Sequence, residues 1–423
     1  EPSYKHEEGV RYHARDVALE LAALTQSVVV LGSATPSIES YQRARDGAYT
    51  LLELPERVAR KAGSFVAQAI PLPPVQIVDM RVELQQGNRS IFSRSLRRAL
   101  AQVLAQRQQA LLFLNRRGTA AFVMCRDCGY VVGCPRCSGP LTVHRVGDDA
   151  QPGATDGFDL LRCHTCGHRE LAPGVCPQCW SARIRHFGVG TQRVVVEVET
   201  LFPEARVLRW DRDVTGRKGA HDRLLQMFLN HEADVVVGTQ MIAKGLDLPL
   251  VTLVGVVSAD TGLHMPDFRA GERAFQLMAQ VAGRAGRRDL GGQVIIQSYT
   301  PEHYALRAAA AHDYRSFFRE EIAFRSEAHY PPFAQLVRFV TSGTNATSVQ
   351  AAAEELAERI HAAIERLSLV DTAVIGPAPA FMERVRGRFR WHVLVRAPDV
   401  HPILDELGTL PGWIVDIDPG SML

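Results

Sequence analysis

The sequence predicts an α/β chain in which a parallel sheet, covered by helices on both faces, is interrupted by a cysteine-rich insertion and followed by a smaller α+β domain. Three observations carry this. From Ser93 to Gln297, short apolar runs alternate with amphipathic helical stretches, the pattern of parallel strands joined by crossover helices. All eight cysteines fall between Cys125 and Cys179, in four C-x-x-C pairs. Beyond Tyr330-Pro331-Pro332-Phe333 the order changes to strand, helix, strand, strand, helix, strand.

At 423 residues the chain is long enough for two or three domains. An apolar share of 46% and a charged share of 22% are those of a soluble globular protein. No stretch reaches the roughly 18 apolar residues of a membrane span, so no membrane role is expected. A net charge of +2 and a pI near 8.2 leave the partner open. The chain begins Glu1-Pro2-Ser3-Tyr4, without an initiator Met or a signal-peptide pattern, and reads as a piece starting within a longer protein. Paired cysteines in a long chain without a secretory signal point to metal binding in a reducing cytosol, hence a cytoplasmic protein.

Taken in order, residues 15–24 read as a helix. The run 27–31 (SVVVL) reads as a buried parallel strand delivering the polar loop Gly32-Ser33-Ala34-Thr35-Pro36-Ser37. Residues 55–74 form an irregular, Pro-containing connection. A second unit starts with helix 93–106, strand 110–114 and the turn Asn115-Arg116-Arg117-Gly118. The cysteine block interrupts it. The unit resumes near Gly188 with a helix, then strand 206–209, helix 222–229 and strand 234–237, followed by strands 250–256 and 293–297. The tail holds strand 337–340, a helix, strands 373–375 and 391–395, a second helix and strand 413–416. Its first helix repeats apolar residues at Val349, Ala353, Leu356, Ile360, Ile364 and Leu367, which makes one buried face. The expected domains are 1–58, the end of a first sheet lobe; 59–90, a linker; 91–334, a second lobe with a metal-binding insertion at 124–186; and 335–423, the α+β tail.

Each C-x-x-C pair can form a knuckle presenting two thiolates, and two knuckles complete a tetrahedral zinc shell. The gap between Cys128 and Cys134 is short for turning one knuckle to face the next, so nested pairing is expected. Cys125, Cys128, Cys176 and Cys179 would hold one zinc ion, and Cys134, Cys137, Cys163 and Cys166 the other. Four thiolates leave no place for a catalytic water, so both ions would be structural. The neighbouring His144, His164 and His168 are then expected at the surface.

Four further segments stand in fixed order: Gly32-Ser33-Ala34-Thr35; residues 111–118 (LLFLNRRG); Gly238-Thr239-Gln240-Met241 with Lys244-Gly245 and Asp247; and Gln280-Val281-Ala282-Gly283-Arg284-Ala285-Gly286-Arg287. Together they resemble motifs III to VI of superfamily 2 helicases, which implies two RecA-like lobes with ATP between them. Further segments are SYKHEEGVRYHARD (3–16), GNRSIFS (87–93), GTQMIAKGLDLP (238–249), ADTGLHMPDFRAGERAFQL (259–277), YPPF (330–333), GRFRW (387–391) and DIDPGSML (416–423). With the eight-cysteine block they resemble the PriA family of replication-restart helicases, also called primosomal protein N-prime, over essentially the whole chain.

The resemblance implies roles by position. Arg284 and Arg287, three residues apart on a helix, would project to one side and stabilise the transferring γ-phosphate, with Gln280 holding them. Gly245 and Asp247 would face the nucleotide, and Ser33 and Thr35 would couple the lobes. Thr239 and Gln240 would touch the DNA backbone, with Asn115 and Arg116 also among the DNA contacts. In the aromatic-rich segment, Tyr4 and Tyr12 would offer faces to bases while Lys5, Arg11 and Arg15 meet phosphates. The family's D-E-x-H motif directly precedes its S-Y-K segment, and here that position falls before Glu1. No G-x-x-x-x-G-K-[ST] occurs in the chain. ATP and Mg2+ are therefore expected only together with the rest of lobe 1, and the chain alone is expected not to hydrolyse ATP.

The family activity is 3′-to-5′ unwinding at stalled forks. Its partners are branched and single-stranded DNA, single-strand-binding protein and other primosome proteins. Arg384, Arg386, Arg388 and Arg390, interleaved with Phe389 and Trp391, read as a patch for branched DNA or equally as a charged strand face. The competing function is a non-enzymatic, DNA-binding scaffold of the same fold. A free-standing zinc adaptor would leave the four motor segments without purpose.

Overall fold

A six-stranded sheet forms the main body, with every neighbouring pair parallel, in the order Val207–Trp210, Val235–Gly238, Gln109–Leu114, Val251–Ser258, Gln293–Ser298, Val75–Asp79. This computed structural model describes all residues except 1–3, 7, 8, 10, 55, 57, 61–66, 70, 116–121, 138, 145–158, 212, 213, 215–218, 240–247, 249, 285–290 and 423. Strand alternation divides the core in two. Leu111 and Phe113 point to one face, where Ile38, Trp210, Phe228, Phe275 and Phe317 pack, while Ala110, Leu112 and Leu114 meet Leu96, Leu100, Val194 and Val198 on the other. Both faces are dry, so the strands read as unbroken apolar runs.

The helix Arg94–Ala105 shows how sequence sets position. Ser93 Oγ accepts from Leu96 N–H at 3.2 Å and caps the helix, and Ser93 N–H donates to Gln297 Oε1 at 2.6 Å. Gln297 Nε2 also donates to Ile91 O and Val257 O, both at 2.9 Å, so one buried amide ties the helix start to two strands.

Two expectations need correction. Residues 27–31 form no strand; Val28 and Val30 are exposed. An all-apolar parallel strand needs paired strands on its edges and helices on its faces, and among the described residues none pair with it. The preceding helix Ala14–Thr25 is likewise without buried residues. Within 59–90, expected to be linker, Val75–Asp79 is the edge strand of the main sheet and Met80–Gln85 a helix that Asp79 caps. A five-residue strand after a proline-containing connection carries too little periodicity to stand out.

The cysteine block is a five-stranded antiparallel sheet in the order Arg169–Leu171, Leu160–Arg162, Thr142–His144, Phe122–Cys125, Ile184–Phe187. The tail has the βαββαβ order, with strands arranged Ala373–Val385, Arg388–Ala397, Gln335–Gly343, Trp413–Ile417, all antiparallel. Helix Ala346–Arg366 buries Val349, Ala353, Leu356 and Ile360 against this sheet. The apolar stripe ends before Leu367, which is the exposed C-cap residue. Among the described residues no helix is long and apolar enough to cross a membrane.

Candidate functional site

The thiols gather in two quartets, Cys125, Cys128, Cys176, Cys179 and Cys134, Cys137, Cys163, Cys166, and within each the sulfurs lie within 4.8 Å of one another. Sγ–Sγ separations are 3.6 Å for Cys125–Cys179, Cys128–Cys176 and Cys134–Cys166. Sulfurs placed about 2.3 Å from a central zinc stand roughly 3.8 Å apart, so each quartet could hold one ion with little adjustment. In the inner quartet the hydrogen bond from Cys137 draws the Cys163 thiol down to about 5, and the same bond pushes Cys137 up.

Each quartet leans on a different neighbour. Arg81 Nη1 donates to Cys128 O at 3.2 Å while its guanidinium pairs with Asp79 at 2.8 Å and Glu302 at 2.9 Å, which fixes the outer knuckle to the main sheet. Gly129 sits so close that an added Cβ would stand 2.5 Å from Tyr299 O. The inner quartet faces the tail. Arg162 pairs with Glu383 at 2.6 Å, and His164 Nδ1 lies 3.4 Å from Pro379 O with Phe381 edge-on at 5.1 Å. His164 was expected at the surface and is instead buried. Burial pushes its imidazole down to about 3, and its Nε2 lies 2.9 Å from His144 Nε2. Local sequence could not place the tail strand that covers it.

The motor residues divide. Asn115 and Thr239 are buried just beyond the C-terminal ends of adjacent parallel strands whose register pairs Phe113 with Gly238. Gly262 lies against Asn115, and a Cβ there would come within 2.1 Å of Asn115 Nδ2, so the amide would have to shift. Gln280 is in the last turn of helix Ala270–Ala282 and Arg284 follows its C-cap Gly283; both are half-buried. Ser33 is exposed, with its Oγ accepting from Thr35 N–H at 3.1 Å. Arg116, Gln240, Gly245, Asp247 and Arg287 lie outside the described residues.

Among the residues expected on DNA, Tyr4 and Tyr12 are exposed, Tyr12 stacking on His6 at 5.2 Å. Lys5 is engaged elsewhere: its Nζ lies 3.0 Å from the buried Asp416 carboxylate and donates to Ile417 O at 3.0 Å. Arg11 reaches the same carboxylate at 3.3 Å. A buried carboxylate needs such partners, so both cations are bound to the tail. Arg15 pairs with Asp16 at 2.9 Å and reaches Ser37 and Ser40 at 3.4 and 3.3 Å.

Sequence reasoning missed an ion network at the start of the Ala270–Ala282 helix. Arg325, fully buried, donates through Nε to Glu321 at 2.8 Å, through Nη1 to Glu39 at 3.0 Å and Pro331 O at 3.2 Å, and through Nη2 to Glu272 at 2.6 Å. Arg269 pairs with Glu39, and Ile38 N–H donates to Glu272 at 3.2 Å. Burial alone would push Glu39 up, but Arg269 and then Arg325 pull it down to about 2. Glu321 is pushed up, burial outweighing Arg325. The segment that follows Ser33 and Thr35 is thereby locked to the helix that ends at Gln280 and Arg284. The available signal was charge within otherwise apolar helices.

Two family models match this chain: the primosomal protein N C-terminal domain over residues 326–419 and the helicase conserved C-terminal domain over 203–289. The replication restart protein PriA of Bacillus subtilis is 47% identical over 396 residues, 94% of this chain and 46% of that protein. PriA of Synechocystis is 46% identical over 97% of this chain and 48% of its own, and PriA of Treponema pallidum 39% identical over 100% and 61%. The chain thus spans about half the length of the curated relatives it matches. With the two cysteine quartets, the parallel helicase sheet and the βαββαβ tail all inside this alignment, the chain belongs to the PriA family of replication restart proteins.

Proposed function

We propose that this chain forms the second motor lobe, the zinc block and the tail of a DNA helicase that works 3′ to 5′ at stalled or branched forks and helps assemble the primosome there. Residues 1–58 are the end of a first RecA-like lobe. Residues 91–334 are the second lobe, to which strand Val75–Asp79 also belongs, with the insertion at 124–186; 335–423 form the tail. The observation that carries the reading is the placement of Asn115 and Thr239 side by side at the C-terminal edge of a parallel sheet, where α/β proteins bind their ligands.

In this reading Thr239, Asn115, Gln240 and Arg116 hold the DNA backbone while Tyr4 and Tyr12 face bases. Gln280, Arg284 and Arg287, with Gly245 and Asp247, face a nucleotide whose phosphates and Mg2+ are held by a first lobe; Ser33 and Thr35 pass the state of one lobe to the other. Each cysteine quartet holds one zinc ion, whose part is to fix the knuckles in place. Single-strand-binding protein and other primosome proteins are the expected partners.

Titration of a labelled fork at two salt concentrations tests this. Binding should be salt-dependent and indifferent to sequence. No binding at low salt would sink the DNA-handling role. The chain alone should not turn over ATP, since no phosphate loop lies in its sequence. Supplied with a lobe that has one, it should hydrolyse ATP, and Arg287→Ala should abolish most of that while DNA binding persists. Indifference to Arg287→Ala would favour the non-enzymatic scaffold.

A further inference from the structure

We propose that Trp180 is a stacking platform for an unpaired nucleobase, held rigid by the outer cysteine quartet; the inference rests on the DNA-binding reading and names a residue for it. Three knuckles can be compared within this one chain. The residue after the second cysteine donates its N–H to the carbonyl of the first: Gly129 to Cys125 at 2.9 Å, Gly167 to Cys163 at 3.0 Å, and Trp180 to Cys176 at 2.9 Å. All three have left-handed backbone, with φ of +80°, +76° and +60°. Glycine fills this conformation at two of them, because a side chain there is strained. The third carries the bulkiest side chain of all.

That side chain buries little on folding, since Trp180 is 77% exposed. A strained backbone bearing an unburied indole is disfavoured on both counts, so its use must lie in what it presents. Its surroundings select the ligand. Two exposed arginines follow it closely in the chain, Arg183 and Arg185, and Arg185 makes no ion pair among the described residues. Asp127 offsets Arg183 at 2.9 Å. An exposed aromatic face with exposed guanidinium groups three and five residues further along the chain suits a base with its phosphates better than an apolar surface. The mounting is stiff: Cys176 Sγ stands 3.6 Å from Cys128 Sγ, and the Cys128 carbonyl is held by Arg81 at the end of the edge strand. A base on Trp180 would therefore keep a fixed position relative to the sheet.

Intrinsic fluorescence gives a direct test. Trp210 and Trp391 are buried and Trp413 half-buried, so a change in emission on adding a short oligo(dT) strand reports chiefly on Trp180. Quenching is expected. Trp180→Gly is the decisive variant, because glycine accommodates this backbone: zinc content and thermal midpoint should hold or rise, while affinity for oligo(dT) falls by about fivefold to a hundredfold. Trp180→Phe should keep most of the affinity. Binding of oligo(dT) with equal affinity by wild type and Trp180→Gly would overturn the stacking role and leave the DNA-binding reading standing. A wild-type chain that binds no DNA at low salt would remove both.

Discussion

Replacing Arg325 by methionine strips the charge from the buried network while keeping much of the apolar stem. Arg325→Met leaves Glu39, Glu272 and Glu321 with Arg269 as their remaining network cation. Removing one partner of a buried ion pair costs about 3–5 kcal/mol. Glu39 supplies an independent figure, since its fall from 4.5 to about 2 corresponds to about 3 kcal/mol, shared between Arg269 and Arg325. With Glu272 and Glu321 also deprived, a loss near 3 kcal/mol is expected. Its pH dependence has a defined sign. The depressed Glu39 contributes stability that is present above pH 4.5 and lost as pH falls through about 2. In the variant Glu39 and Glu321 lose a cation that holds them down and their folded pKa values rise, so protonation favours the folded state. The deficit against wild type should be largest near pH 7 and shrink toward pH 5. Hydrogen exchange of the amides in Ile38–Arg45 and Ala270–Ala282, corrected for intrinsic rates, measures this locally. A deficit under about 1 kcal/mol at pH 7, or one that does not shrink on acidification, would refute the reasoning.

Elemental analysis should find two zinc ions per chain. Cys125→Ser and Cys179→Ser should disturb one ion and Cys134→Ser the other; a count near one, or a block still protease-resistant in strong chelator, would end the two-site reading. Gly129→Ala forces a Cβ to within 2.5 Å of Tyr299 O at φ +80°, and should lower stability by on the order of 1–3 kcal/mol. A wild-type thermal midpoint would mean that the knuckle does not rest on that carbonyl. Asp267→Asn removes the carboxylate that receives Arg273 at 2.8 Å, the Ser421 hydroxyl at 3.0 Å and Met422 N–H at 3.0 Å. Hydrogen exchange at the Met422 amide should then quicken, and an unchanged rate would show that this carboxylate does not hold the segment.

The sheet was legible because its strands are buried on both faces and so announce themselves as apolar runs; Gln109–Leu114 and Val251–Ser258 are each entirely buried. The nested cysteine grouping was legible because loop length limits which knuckles can meet. What stayed hidden depended on distant partners. The run 27–31 has the composition of a core strand but no sheet around it here, and composition alone cannot report a missing neighbour. Lys5 looked like a free cation until Asp416, more than four hundred residues away in the chain, was brought beside it. Arg269 and Glu272 are an i,i+3 pair, but nothing in the spacing joins them to Glu39 or Arg325, which converge on them from separate helices.

The insertion of a cysteine block into one crossover of a parallel sheet has a simple geometric condition, and the neck of the block meets it. Phe122 and Phe187 pair directly across the first and last strands, so the inserted chain enters and leaves at one point. Their rings, 5.2 Å apart, pack with Met124 as a plug against Tyr299 of the main sheet. The sheet order is therefore indifferent to what lies beyond the neck. Beyond it the block has little to fold around: among the described residues, four of the nine buried in its core cluster are cysteines. Five aliphatic side chains cannot offset the ordering of so many residues, and metal–thiolate bonds in the two quartets would supply what this core lacks. The outer quartet lies next to the neck and the Arg81 contact, whereas the inner quartet lies under the tail strand that carries Pro379 and Glu383. An ion in each quartet would thus secure a different joint, the outer one fixing the block to the main sheet and the inner one fixing the tail to the block.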